Sequence, residues 1–209
     1  MNGLLDVFRE LRRNFQGKFI IPRSVKYETI DRPLNIKQFE LGALSIQRLL
    51  EEKVIELPEA VQVKDEEIII RTRELLKRAN KVFLARNEFM HIIDEGEASC
   101  LALSQILSER GIRNVIAVDE RTTRMLGEVP ENLRKLFEKK FHTEVKMFKQ
   151  EMPGLENIKF IRSSELVYVA WKKGLVKMKS SKVLDALLYA TKFKGSSISH
   201  EEIEEIKHL

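Results

Sequence analysis

Cysteine is nearly missing from this chain. Cys100 stands alone among 209 residues, which excludes an internal disulfide framework and a cysteine-based zinc site. The four histidines, His91, His142, His200 and His208, show no metal-binding spacing, so surface or core roles are their default. No apolar run approaches the roughly 18 residues that a membrane span needs. The segment Met1–Phe15 is amphipathic and carries Asp6 and Glu10, which does not suit a secretory signal. These absences make the cytoplasm the expected compartment. Internal repeats and low-complexity tracts are also missing, so a repeat array is not expected.

What is present describes a soluble globular protein. Hydrophobic residues make up 43% and charged residues 33% of the chain, too apolar for disorder, and the length allows a real core. The net charge of +5 is compatible with a nucleic-acid partner, although Lys/Glu-rich surfaces with a small basic excess are common.

Short apolar runs alternate with helical patterns. Leu4, Leu5, Phe8, Leu11 and Phe15 have helical spacing. A short strand over 18–21 is followed by Pro22, which opens a helix running to about Ile30. Asn35 and Gln38 predict a near capping box for a helix that buries Ile36, Phe39, Ala43, Ile46 and Leu50. A strand over 54–57 and an amphipathic helix from Asp65 to about Phe83 come next. A small, apolar helix over 95–110 is closed by Gly111. An apolar strand over 114–118 and helices from Arg121 and Pro130 follow. Beyond them lie a strand over 159–162, two helices, and a polar tail helix opened by Ser199 and Glu202. The alternation predicts an α/β fold with a mainly parallel sheet, as a three-layer α/β/α domain over 1–162 with a helical extension over 163–209.

Two segments carry the chemistry. Asp94-Glu95-Gly96-Glu97 sets acids at the mouth of the small apolar helix, and Ile116-Ala117-Val118 ends abruptly in Asp119-Glu120. Ligands of open α/β sheets bind at the C-terminal edge of the strands. Carboxylates gathered there repel by about 4 kcal/mol per pair at 4 Å and an effective dielectric near 20. A hard divalent cation removes that cost and prefers oxygen ligands, so the pattern points to Mg²⁺ or Mn²⁺.

Plainer readings stand beside this one. A helix N-terminus favours acids through its dipole, and Asp94 and Glu95 read as first-turn acids. Arg121 and Arg124, one turn apart past the acidic strand end, either bridge to nearby acids or clamp a substrate phosphate. Ser163 and Ser164 either touch a phosphate or cap the next helix. Lys172, Lys173, Lys177, Lys179 and Lys182 form a solvated face or an RNA-backbone track. Asp185 reads as a first-turn acid of a packing helix, and Cys100 as a small buried hydrophobe.

The ordered pieces resemble a known family, the PIN domains, in the archaeal and bacterial branch with Gly-Glu-Ala in the acidic helix. Phe19-Ile20-Ile21-Pro22-Arg23-Ser24-Val25-Lys26-Tyr27-Glu28 resembles the strand and helix that present the second acid, which gives Glu28 that role. Gly96-Glu97-Ala98 resembles the third acidic position, and Val118-Asp119-Glu120-Arg121-Thr122-Thr123-Arg124 the fourth, where either Asp119 or Glu120 supplies the ligand. Ser163-Ser164-Glu165-Leu166, Lys173-Gly174-Leu175-Val176, Leu184-Asp185-Ala186-Leu187 and Phe193-Lys194-Gly195 resemble the late units of that branch. The resemblance implies a metal-dependent ribonuclease, in many members a toxin opposed by an antitoxin, with Mg²⁺ or Mn²⁺ on Glu28, Glu97 and Asp119 or Glu120. RNA is the implied substrate, an antitoxin-like protein or a second copy the implied partner, and no membrane is involved.

One departure stands out. The family begins with an apolar strand ending in Asp, whereas this chain opens on what would be the following helix, and Asp6 within that helix is no substitute. The expectation is a native product that begins upstream or, failing that, a PIN-like scaffold that has lost its leading ligand and binds RNA or a protein partner without cleavage. Without that strand the sheet should show a gap, an unprotected internal edge or strand exchange with a second chain.

Overall fold

A computed structural model describes residues 3–155, 157–178, 180 and 182–208. Helices dominate. In chain order they are α1 (Gly3–Asn14), α2 (Arg23–Lys26), α3 (Lys37–Glu51), α4 (Asp65–Ala79), α5 (Glu95–Glu109), α6 (Arg121–Glu128), α7 (Pro130–Phe141), α8 (Ser163–Lys172), α9 (Val183–Phe193) and α10 (His200–Lys207). The strands are short: β1 (Phe83–Ala85), β2 (Glu88–Phe89), β3 (Ile116–Ala117), β4 (Val145–Met147) and β5 (Phe160–Ile161). The fold is α/β, as its periodicity predicts. Among the described residues no helix is long and apolar enough to cross a membrane.

The sheet corrects the expectation of a mainly parallel arrangement. β3 pairs with β5 in parallel, and a lone parallel bridge joins Ile20 to Glu56. The larger ladder, ordered β2-β1-β4, is antiparallel. Phe83 therefore belongs to a strand, not to the helix that its spacing extends. Arg86 and Asn87, both with positive φ, turn β1 into β2, because two left-handed residues reverse the chain with the twist a hairpin needs. The segments over 18–21 and 54–57 make one bridge, not full strands.

α5 is the axis of the main core. Leu101, Ala102, Leu103, Ile106 and Leu107 are all buried, because a helix apolar around its circumference must be enclosed. It packs along α4, whose Ile68, Leu75 and Ala79 face it, and against Phe83, Ile116, Leu126 and Phe137. The C-terminal helices pack on the start of the chain: Val7 and Leu11 of α1 share a cluster with Val167, Ala170, Val183 and Leu187. α10 closes over α9 through Ile203 and Ile206, capped by Ser199 and Glu202 as their spacing predicts.

α3 departs from its expected packing. Ala43 and Leu49 are buried, but Ile36 and Phe39 are exposed, with Leu41 and Leu44 beside them. Its N-cap is Ile36 without a side-chain bond, so Asn35 does not cap it; Asn35 instead donates to the Asp31 carbonyl. Lys179 of the basic stretch lies outside the described residues.

Candidate functional site

The acidic helix mouth is built by local bonds that the chain makes around α5. Ser99 Oγ donates to the Gly96 carbonyl at 2.6 Å, and Ser24 Oγ donates to Ser99 Oγ at 2.6 Å. These tie α2 to the first turn of α5. Immediately after α2 the backbone widens into a single π-helical turn, Tyr27–Asp31, closed by Arg32 N–H donating to the Tyr27 carbonyl. Such turns re-aim side chains, and this one carries Glu28.

Glu28 lies against the backbone of Gly96. A Cβ added at Gly96 would collide with Glu28 Oε2 and sit 3.1 Å from the carboxyl carbon. Partial burial pushes the Glu28 carboxyl above the usual range, and the Asp94 charge adds to that; the Gly96 N–H pulls it back, Glu95 raises it further and Arg32 opposes.

Glu97 serves the helix and faces the site. Its Oε2 accepts the Asp94 N–H at 2.9 Å, the role of a Glu at the third helical position. Burial is the largest cause holding its carboxyl above the usual range; the Asp94 N–H opposes, the charges of Glu120 and Asp94 add, and the Thr123 hydroxyl opposes. Thr123 is buried and its Oγ1 lacks a partner of regular hydrogen-bond geometry, so its hydroxyl is available to Glu97.

The parallel pair supplies the third element. Val118 N–H donates to the Ile161 carbonyl at 3.0 Å, and the two residues after it diverge. Glu120 caps α6, accepting the Thr123 N–H at 2.7 Å, and its charge bears on Glu97. Asp119 turns to the C-terminal helices: Oδ1 accepts from Ser163 N–H and Ser196 Oγ, both at 3.0 Å, and its carbonyl accepts from Ser197 Oγ at 2.8 Å.

Glu28, Glu97 and Glu120 thus come from three separate elements to one end of α5, with Asp94 and Glu95 at the rim. The Cys100 thiol registers the same gathering: burial pushes it up to about 12, and the Glu97 and Glu28 charges add, so it is a poor nucleophile. The donor chemistry, carboxylate oxygens that repel one another, fits a hard divalent cation. As placed, no three such side chains converge closely enough among the described residues to hold a metal ion.

The basic and hydroxyl candidates divide. Arg121 is exposed at the start of α6. Arg124 donates to Ser197 Oγ at 3.4 Å, while its Nε is buried without a partner. Neither makes an ion pair within 4.0 Å among the described residues. The Ser163 N–H is committed to Asp119, and Ser164 is fully buried. Asp185 is a first-turn acid of α9, paired with Lys207 at 2.9 Å.

Sequence reasoning missed the Thr123 hydroxyl and the Ser24–Ser99 tie. A glycine in the first turn of a buried helix was the available signal for the close approach of Glu28; nothing in the sequence signals Ser196 and Ser197. No family model, curated protein or solved structure matches this chain.

Proposed function

We propose that this chain is a PIN-type, metal-dependent ribonuclease that hydrolyses RNA phosphodiesters, built as a three-layer α/β/α domain. The observation that carries the reading is the gathering of Glu28, Glu97 and Glu120 at the N-terminus of α5, where burial and neighbouring acids, Asp94 for both and Glu120 for Glu97, raise the carboxyl groups of Glu28 and Glu97. The parallel β3–β5 pair and the parallel Ile20–Glu56 bridge support the layered arrangement.

Glu28, Glu97 and Glu120 would hold Mg²⁺ or Mn²⁺, which when bound lowers the pKa of water and offsets charge on the leaving oxygen. The N-terminal dipole of α5 favours the anionic side chains and a substrate phosphate alike. Gly96 gives Glu28 its room, and the Asp94 N–H fixes the orientation of Glu97. Arg121 offers an unpaired guanidinium to the substrate phosphate. A toxin role with an antitoxin-like protein, a homodimer and a cytoplasmic setting rest on the resemblance and composition alone.

One observation favours a second reading, a PIN-like scaffold that binds RNA or a protein without cutting. Asp119 Oδ1 is held by Ser163 N–H and Ser196 Oγ, and among the described residues no three acids converge closely enough to hold a metal ion.

Purified protein incubated with RNA and Mn²⁺, against an EDTA control, separates the two. Cleavage should fall at least about 100-fold in Glu97→Gln, the scale for removing one electrostatic stabiliser. Mn²⁺ should also raise the melting temperature of the wild type more than that of the variant. Equal cleavage by both proteins rejects the nuclease assignment.

A further inference from the structure

A broad cleft lies away from the acids. It has a volume of about 740 Å³ and opens between α1 and the C-terminal end of α3, with Lys177 on its rim. We propose that this cleft binds the phosphate backbone of an RNA strand. The choice of RNA rests on the proposed function; the anion specificity rests on the cleft itself.

Six cations line the cleft, Arg9, Arg12, Arg13, Arg48, Lys53 and Lys177, against three carboxylates, Asp6, Glu10 and Glu52. The helix forms this wall because its apolar residues are used on either side. Val7 and Leu11 pack toward α8 and α9, while Leu5 and Phe8 pack on Leu49, Val54 and Ile55. The charged rows between them are left facing the cleft.

The ion pairs within it do not neutralise it. Glu52 is shared by Arg9 at 2.6 Å and Arg48 at 2.8 Å. Glu10 is shared by Arg13 at 2.8 Å and Lys177 at 3.5 Å. Glu56, just behind the lining, is shared by Arg12 and Lys18 at 3.6 and 3.5 Å. A carboxylate between two cations cancels one of them, so the Glu10 and Glu56 groups each keep a positive excess, while Asp6, 3.1 Å from Arg9, balances the Glu52 group. Lys53, set past the end of α3 by a left-handed backbone with φ 54°, has no side-chain partner among the described residues.

The excess is also presented outward. The side chains of Arg13, Arg48 and Lys177 are 67%, 72% and 78% exposed. A guanidinium has five N–H donors, and Arg13 and Arg48 each spend one here. Spare donors on fixed guanidinium groups match phosphate oxygens, and contacts of this kind position a nucleic-acid backbone without reading its sequence. Lys177 also brings one residue of the basic stretch over 172–182 into a defined place.

The test is binding of a fluorescein-labelled 20-nucleotide single-stranded RNA in EDTA, by fluorescence anisotropy, as a function of KCl concentration. Replacing Arg13, Arg48 and Lys53 together by Ala removes three exposed cations, which should lower the magnitude of the log–log salt slope by about 2. Between 50 and 200 mM KCl the wild type should then lose about 20-fold more affinity than the triple variant. Glu97→Gln should keep the wild-type slope, so a failed cleavage assay leaves this measurement intact. Wild-type slope and affinity in the triple variant, with its melting temperature unchanged, overturn the proposal. So does a wild-type protein that does not bind RNA in EDTA.

Discussion

The carboxylate of Glu28 occupies the space that a side chain at Gly96 would need, with its carboxyl carbon 3.1 Å from the position of an added Cβ. One residue belongs to a π turn and the other to the first turn of a buried helix. Their contact sets the Glu28 carboxylate beside the helical turn that also carries Glu97.

Gly96→Ala therefore tests the site without testing the fold. The obstructing atoms are the end of a flexible side chain, and Ala is favoured over Gly in a helix by about 1 kcal/mol. The melting temperature should stay level or rise, while RNA cleavage falls because the Glu28 carboxylate is displaced. A variant that melts lower and cleaves normally would remove Glu28 from the site.

The raised carboxyl groups of Glu28 and Glu97 set a pH dependence. Their folded-state pKa values lie above the ordinary 4.5, so the native state holds these protons more tightly than the unfolded chain. Their contribution favours folding at low pH and declines as pH rises through the window just above 4.5. Gln at position 97 keeps an acceptor for the Asp94 N–H and removes the charge. Thermal melts should show Glu97→Gln more stable than wild type at pH 7, with the gain vanishing below about pH 4, under the ordinary Glu range. A variant less stable at pH 7 would contradict this.

Asp119 and Glu120 should separate by phenotype. Asp119→Ala strips the acceptor from Ser163 N–H and Ser196 Oγ, costing about 1–3 kcal/mol, or about 2–4 °C in melting temperature per kcal/mol for a chain of this size. Asp119→Asn keeps an oxygen acceptor and should lose less stability and little cleavage. Glu120→Gln, which still caps α6, should melt near wild type and lose cleavage. The reverse pattern would make Asp119 the site residue.

The packing of α3 gives a fourth test. Phe39 is 51% exposed, so Phe39→Ser should stay within about 0.5 kcal/mol of wild type in urea unfolding. Phe83, fully buried and edge-to-face with Phe137 at 5.6 Å, should cost about 3–5 kcal/mol as Ala. A large loss at Phe39 would restore it to a core.

Local chemistry made much of this protein legible from its residues alone. The spacing of Leu4, Phe8 and Leu11, the small apolar composition of Leu101–Leu107, the Ser199–Glu202 capping box and the turn at Gly111 define elements through contacts within four residues of themselves. Tertiary structure decided the rest. Periodicity reads Phe83 as the end of a helix because nothing local reports the strand at Val145–Met147 that pairs with it. Phe39 reads as core because helical spacing gives a face but not the surface that covers it. Asp119 and Glu120 are adjacent acids after one strand, alike in sequence. Asp119 is drawn away by partners distant along the chain, Ser163 and Ser196, whereas Glu120 stays on the local Thr123 N–H, since side-chain direction past a strand end is fixed by what the fold brings within hydrogen-bonding reach.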